Sequence, residues 1–134
     1  LRAHSILGRL MVADAGDADD AAGFDRGLDA ARSADAEGDL LHALFSTRTR
    51  SLVGELPHAQ GAGYLSGLLV GSALQAMLAR GPAAAPLLLV GDDALCRRYA
   101  HALQSAGRSA AAVLGNTAPD GLAELARAAG LLAP

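Results

Sequence analysis

Four carboxylates crowd into one short stretch at Asp14, Asp17, Asp19 and Asp20, a density that raises calcium first. A calcium loop needs acidic side chains at alternate positions, a glycine at the sixth and a bidentate glutamate at the twelfth. Counted from Asp14 or from Asp17, neither register supplies them. The cluster therefore reads as a solvated turn and helix cap. His4, His42, His58 and His101 are scattered, with no i, i+4 pair and no neighbouring cysteine, so the spacing of a zinc site is missing. Cys96, in "DDALCRRYAHAL", has no histidine positioned as its base and reads as a small packing residue. As the single cysteine it excludes an internal disulfide framework and fits a reducing compartment.

Glycines carry the remaining signals. "GAGYLSG" has the composition of a nucleotide loop, but its spacing departs from G-x-G-x-x-G, no strand precedes it, and the chain has no lysine for a Walker motif. Both common phosphate loops are rejected. Two other turns, "VGDD" (90–93) and "LGNTAPDG" (114–121), stand where predicted strands pass into predicted helices. In open parallel sheets ligands collect beyond the carboxyl ends of strands, near helix N-termini. Gly91 and Gly115 would let a ligand approach the backbone closely; Asp92 would repel phosphate but could hydrogen-bond a ribose. Ordinary strand-to-helix turns are the alternative, and position leaves both open. In "GYLSGLLVGSAL", Gly67 and Gly71 lie one turn apart, each costing about 0.8–1 kcal/mol relative to alanine in a helix. Either another element or a flat ligand packs against that face.

The elements that must hold these residues follow from hydrophobic period. Leu1, Ile6, Leu7, Leu10 and Met11 gather on one helical face. A second helix, capped by Asp17, Asp19 or Asp20, runs through about Ser33, and a third from about Glu37 to Phe45. "STRTRSLVGELP" breaks the period and reads as a loop with extended character; "HAQGAGY" reads as flexible. A helix then runs from Tyr64 to about Ala79, stopped by "RGP". "PLLLVG" is a short buried strand, "DDALCRRYAHALQSAG" a helix capped by Asp92 or Asp93 and stopped at Gly107, "SAAAVLG" a second strand and "DGLAELARAAG" a closing helix. This order predicts a parallel crossover. The predicted fold is a helix-rich α/β single domain over 1–134, with a helical segment over 1–56 and helix, strand, helix, strand, helix over 57–134.

Composition bounds the classes. A chain of 134 residues that is 51% hydrophobic can bury a core unaided. With aromatics at only 3%, that core should be aliphatic. Eleven basic against fourteen acidic residues give a net charge of −3, with all the basic residues arginine, which speaks against nucleic-acid and polybasic membrane partners. The longest apolar run, "YLSGLLVGSALQAMLA", falls short of a membrane span of about 20 residues. No signal-peptide pattern opens the chain, so a cytoplasmic location is expected. It begins at Leu1 inside a helix-like pattern, as a piece of a longer protein would.

"LFSTRTRSLVGELP", "YLSGLLVGSAL", "LLLVGDDALCRRYAHAL" and "VLGNTAPDGLAELARAAGL", in that order, with "GFDRGLDAA" before them, resemble the C-terminal part of the 2-dehydro-3-deoxygalactonokinases. The resemblance covers nearly the whole chain and implies a sugar-acid kinase of the hexokinase, Hsp70 and actin-like fold, related to ribonuclease H, with two lobes and the nucleotide between them. The phosphate of ATP would pass to 2-dehydro-3-deoxy-D-galactonate. By that resemblance Gly91 and Asp92 lie on the adenosine side, and Gly115, Asn116 and Thr117, with the small-residue face at Ser66, Gly67 and Gly71, line the same pocket. Arg48 matches the family's arginine, either a substrate contact or a structural ion pair.

Two positions depart from the family pattern. Ala73 replaces an acidic residue near the end of the "SGLL" block, and Asp20 stands where an aromatic is common. The resemblance also implies that ATP and Mg2+ are held mainly by an N-terminal lobe whose "DxGxT"-like phosphate hairpin does not occur here. Phosphoryl transfer depends on positioning and metal-assisted charge stabilisation, so the chain alone is expected to be inactive, and its unpaired sheet edge to favour homo-oligomers. Rival readings are a noncatalytic interaction module docking through the Tyr64–Ala79 helix, and a degenerate remnant of the fold.

Overall fold

The acidic cluster opens a helix. Asp17, Asp19 and Asp20 occupy the first turn of α1 (Asp17–Glu37), where carboxylates complement the positive end of the helix dipole. The computed structural model describes residues 16–37, 40–82 and 84–131, so the helix expected over the first twelve residues lies outside the described ones. The chain divides into two compact units, 1–83 and 84–134. The division falls after the long apolar helix.

In the first unit α1 is followed by α2 (Leu40–Leu52), a short 3-10 turn (His58–Gln60) and α3 (Gly61–Arg80). Two expectations are corrected here. "STRTRSL" is helical, not extended: the Ser46 and Thr47 hydroxyls donate to the Ala43 carbonyl at 2.8 and 3.3 Å, satisfied within the helix. Thr47 and Ser51, one turn apart, are buried. "HAQGAGY" is not flexible either, since Gly61, Ala62, Gly63 and Tyr64 are buried in the first turns of α3.

α1 and α3 pack by glycine. A Cβ on Gly67 would collide with the Phe24 carbonyl, one on Gly63 with that of Asp20, one on Gly23 with that of Gln60 and one on Gly27 with that of Tyr64. Residue numbers rise together along the two helices, so they run parallel, backbone against backbone. At the far end a Gly71 Cβ would stand 2.7 Å from that of Ala31. Such an approach brings Cα–H groups to carbonyl oxygens and recovers part of what glycine costs a helix. Beside this seam Ala31, Leu56, Tyr64 and Leu68 form the core, with Ala43 and Leu44 of α2 packed against it. Leu56 lies in a loop but is held there: its amide donates to Arg50 O at 3.1 Å, and Arg26 donates to Glu55 O at 2.7 Å and Gln60 Oε1 at 3.2 Å.

The 23 residues His58–Arg80 form one helix long and apolar enough to cross a membrane by length and composition, longer than the run measured in the sequence. Half of its apolar window is buried within the fold. Tyr64, Leu65, Leu68, Val70 and Leu74 are among the buried side chains, so about half of the apolar surface that the interaction-module reading needs for docking is already occupied.

The second unit has the predicted alternation: β1 (Leu88–Val90), α4 (Asp93–Ser105), β2 (Ala112–Leu114) and α5 (Ala118–Ala128). The strands pair in parallel, Leu88 with Ala112, Leu89 with Val113 and Val90 with Leu114, joined through α4. Gly107, at φ +69°, ends α4, and the Arg108 amide returns to Leu103 O at 2.9 Å, a glycine-terminated helix end of the Schellman type. The strands are shorter than expected and β1 is not buried: Leu88 and Val90 are 61% and 54% exposed.

Candidate functional site

Hydrogen bonding at the strand ends brings two of the predicted turns together. The Gly91 amide donates to Leu114 O at 3.2 Å, extending the parallel pairing by one residue. Gly91–Asp92 and Gly115–Asn116–Thr117 therefore leave neighbouring strands side by side at their carboxyl ends, where open parallel sheets bind ligands. Gly91 has φ +154°, a conformation that side chains strain to adopt. Asp92, Gly115, Asn116 and Thr117 are all exposed.

Asp92 and Asn116 act alike as local caps. Asp92 Oδ1 accepts from the amides of Ala94 at 2.9 Å and Leu95 at 3.2 Å, satisfying two donors of the first turn of α4. Asn116 Oδ1 accepts from Ala118 N at 3.1 Å, and the Thr117 side chain makes no capping bond. A carboxylate at the start of α4 holds negative charge where a helix would otherwise attract a phosphate. The turn is thus suited to hydroxyls and amines, and it leaves Asp92 Oδ2 for them.

Beside it lies a shallow cleft of about 160 Å³ lined by Asp93, Cys96, Arg97, Ala100 and Val113. Sequence reading gave Cys96 a packing role and did not single out Asp93, Arg97 or Val113 as cleft residues; the signal was the i, i+3, i+4, i+7 spacing of 93, 96, 97 and 100 along one helical face.

The remaining predicted residues belong to the other unit. Gly67 and Gly71 turn their open sides to α1, so of the two explanations for a small-residue face, packing by another element is the one realised. This corrects the expectation that the face lines a ligand pocket. Ser66 is half-buried and already has a bonding partner. Arg48, half-buried on α2, makes no hydrogen bond or ion pair with another described residue, which leaves its structural ion-pair role without a partner there. Ala73 is exposed on α3. Sequence reading missed Gly23 and Gly27, whose four-residue spacing repeats that of Gly63 and Gly67. Among the described residues no three of His, Cys, Asp and Glu come together as a metal-binding group.

The fold defines a helix-rich α/β chain with two adjoining turns at the ends of parallel strands, and sequence comparison specifies a kinase family. The profile of the 2-keto-3-deoxy-galactonokinase family matches residues 1–125, and the chain belongs to that family. It is similar to the 2-dehydro-3-deoxygalactonokinase of Escherichia coli (strain K12), 33% identical over 116 residues. The matched region is 86% of this chain and 37% of that relative, so the chain spans little more than a third of the relative's length.

Proposed function

We propose that this chain is the C-terminal, adenosine-side lobe of an actin-like sugar-acid kinase that transfers phosphate from ATP to 2-dehydro-3-deoxy-D-galactonate in the cytoplasm, and that it is inactive alone. Family membership supports the kinase reading, and the meeting of the Gly91–Asp92 and Gly115–Thr117 turns supports the nucleotide side. Gly91 and Gly115 admit the flat edge of a nucleoside to the backbone, Asp92 Oδ2 accepts from a ribose hydroxyl, and Asn116 and Thr117 supply further polar groups. The described residues fit the adenosine end of ATP and not its phosphates, since Asp92 repels them and no lysine is available. No three of their His, Cys, Asp and Glu side chains come together as a metal-binding group, and Mg2+ usually takes one or two carboxylates together with nucleotide phosphates, so its place follows that of the phosphates. Phosphates, metal and most of the sugar acid are therefore assigned to the remainder of a longer polypeptide, with Arg48 as the one candidate sugar-acid contact here. The same reading has further strands flanking β1 and β2.

The test is a titration of the chain with ADP and Mg2+, following the backbone amides of Gly91, Asp92, Gly115 and Asn116. Selective, saturable shifts at both turns are expected. Unmoved amides in a folded sample, together with unmoved amides at the same turns in the longer kinase, would remove the nucleotide assignment.

A further inference from the structure

Nothing in the proposed kinase role uses the cleft beside α4. Asp93, Arg97 and Ala100 follow one another along one side of that helix over about 10 Å, and Cys96 and Val113 complete the lining of its 160 Å³. The cleft adjoins the paired turns. A Cβ on Gly91 would stand 3.9 Å from Cys96 Sγ, and Val113 directly precedes Leu114, whose carbonyl accepts from the Gly91 amide. Asp93 and Arg97 are exposed, opposite in charge and one turn apart, a spacing at which such side chains commonly pair. Yet neither side chain makes a hydrogen bond or ion pair with another described residue. The other three lining side chains include no stronger hydrogen-bonding group than a thiol.

We propose that this cleft seats the base of the nucleotide, a purine, with the Arg97 guanidinium laid over the face of its ring; the inference rests on the adenosine-side reading. Charge sets the direction. Asp92 and Asp93 at the near end repel phosphate, so a ribose at Asp92 turns its phosphates outward and its base along α4. A phosphate at Arg97 would instead leave water for an apolar lining that gives its oxygens no other side-chain donor. A flat ring gains there: it covers Ala100 and Val113, and arginine stacks on aromatic faces. Because the lining reads ring area and not the hydrogen-bonding edge, adenine and guanine are accepted alike and the smaller pyrimidines less well.

The test is a titration of the whole chain with ADP, GDP and CDP, reading the Ala100 and Val113 methyl signals beside the Gly91 and Gly115 amides. Ring-current shifts at both methyls, saturating together with the turn amides, are expected. ADP and GDP should bind within about threefold of one another, and CDP at least about fivefold more weakly. Arg97→Ala should weaken ADP and adenosine by the same factor, about fivefold. Turn amides that move while both methyls stay still would overturn the base seat and leave the adenosine-side reading standing. A loss on Arg97→Ala confined to ADP would make Arg97 a phosphate contact and overturn the seat, as would CDP binding as tightly as ADP. Still methyls together with still turns would overturn the seat as one built by this chain's own residues, and leave the nucleotide reading to the longer kinase.

Discussion

At the residue scale, two glycine positions that look alike in sequence carry different burdens. Gly67 faces the Phe24 carbonyl, and Gly121 in α5 faces open space. Gly67→Ala is expected to cost about 2–3 kcal/mol, since the side chain must push backbone aside and not a flexible neighbour. Gly121→Ala should stabilise α5 by up to about 1 kcal/mol, the ordinary helix preference. Urea denaturation of the first against wild type, and helical amide exchange in the second, read these effects. Asp92 offers a similar separation. Asp92→Ala should lose about 1 kcal/mol by uncapping α4, whereas Asp92→Asn keeps the cap acceptor and should be near neutral in stability. If Asp92 Oδ2 receives a ribose hydroxyl, Asp92→Asn should still weaken ADP binding in the titration above, a change the cap alone does not produce.

At the scale of elements, Arg26 joins α1 to the segment that precedes α3. Its two bonds, to Glu55 O and Gln60 Oε1, are exposed, so Arg26→Ala should cost only about 1 kcal/mol. Its mark should be local: faster exchange of the Leu56 and Gln60 amides, with α4 unchanged. How far the elements were legible follows from where periodicity was decisive. α4 and its two flanking strands were readable because Asp92 and Gly107 punctuate a strongly patterned stretch. α2 was cut short because "STRTRS" lacks apolar period; its burial depends on Thr47 and Ser51 meeting neighbours distant in sequence, which a local window does not register. The burial expected for β1 failed for a related reason: apolar runs predict what a strand would bury, not whether the described chain supplies a cover. The placement of the candidate residues was half legible. The strand-end turns were found by type and position, while the ligand-or-packing choice at Gly67 and Gly71 required seeing α1 against them.

At the scale of the whole molecule, the two units differ in how they are built. The first has a continuous core around Leu68 and Tyr64. In the second, α5 buries no residue and the sheet has two strands of three residues, an arrangement of marginal independent stability. Hydrogen exchange should separate them, with the Leu68 and Ala31 amides slowest and those of Leu89 and Val113 exchanging orders of magnitude sooner. Equal protection across both would show that they unfold as one. The seam between α1 and α3 adds a mechanical consequence. Its contacts are carbonyls seated where side chains are missing, at four-residue intervals on both helices, so the pair resembles two toothed racks. A slide of less than one helical turn drives Cβ atoms into carbonyls, and intermediate offsets are closed. Any load placed on α3 is thus transmitted to α1 without slack, and the two helices travel together as one stiff beam.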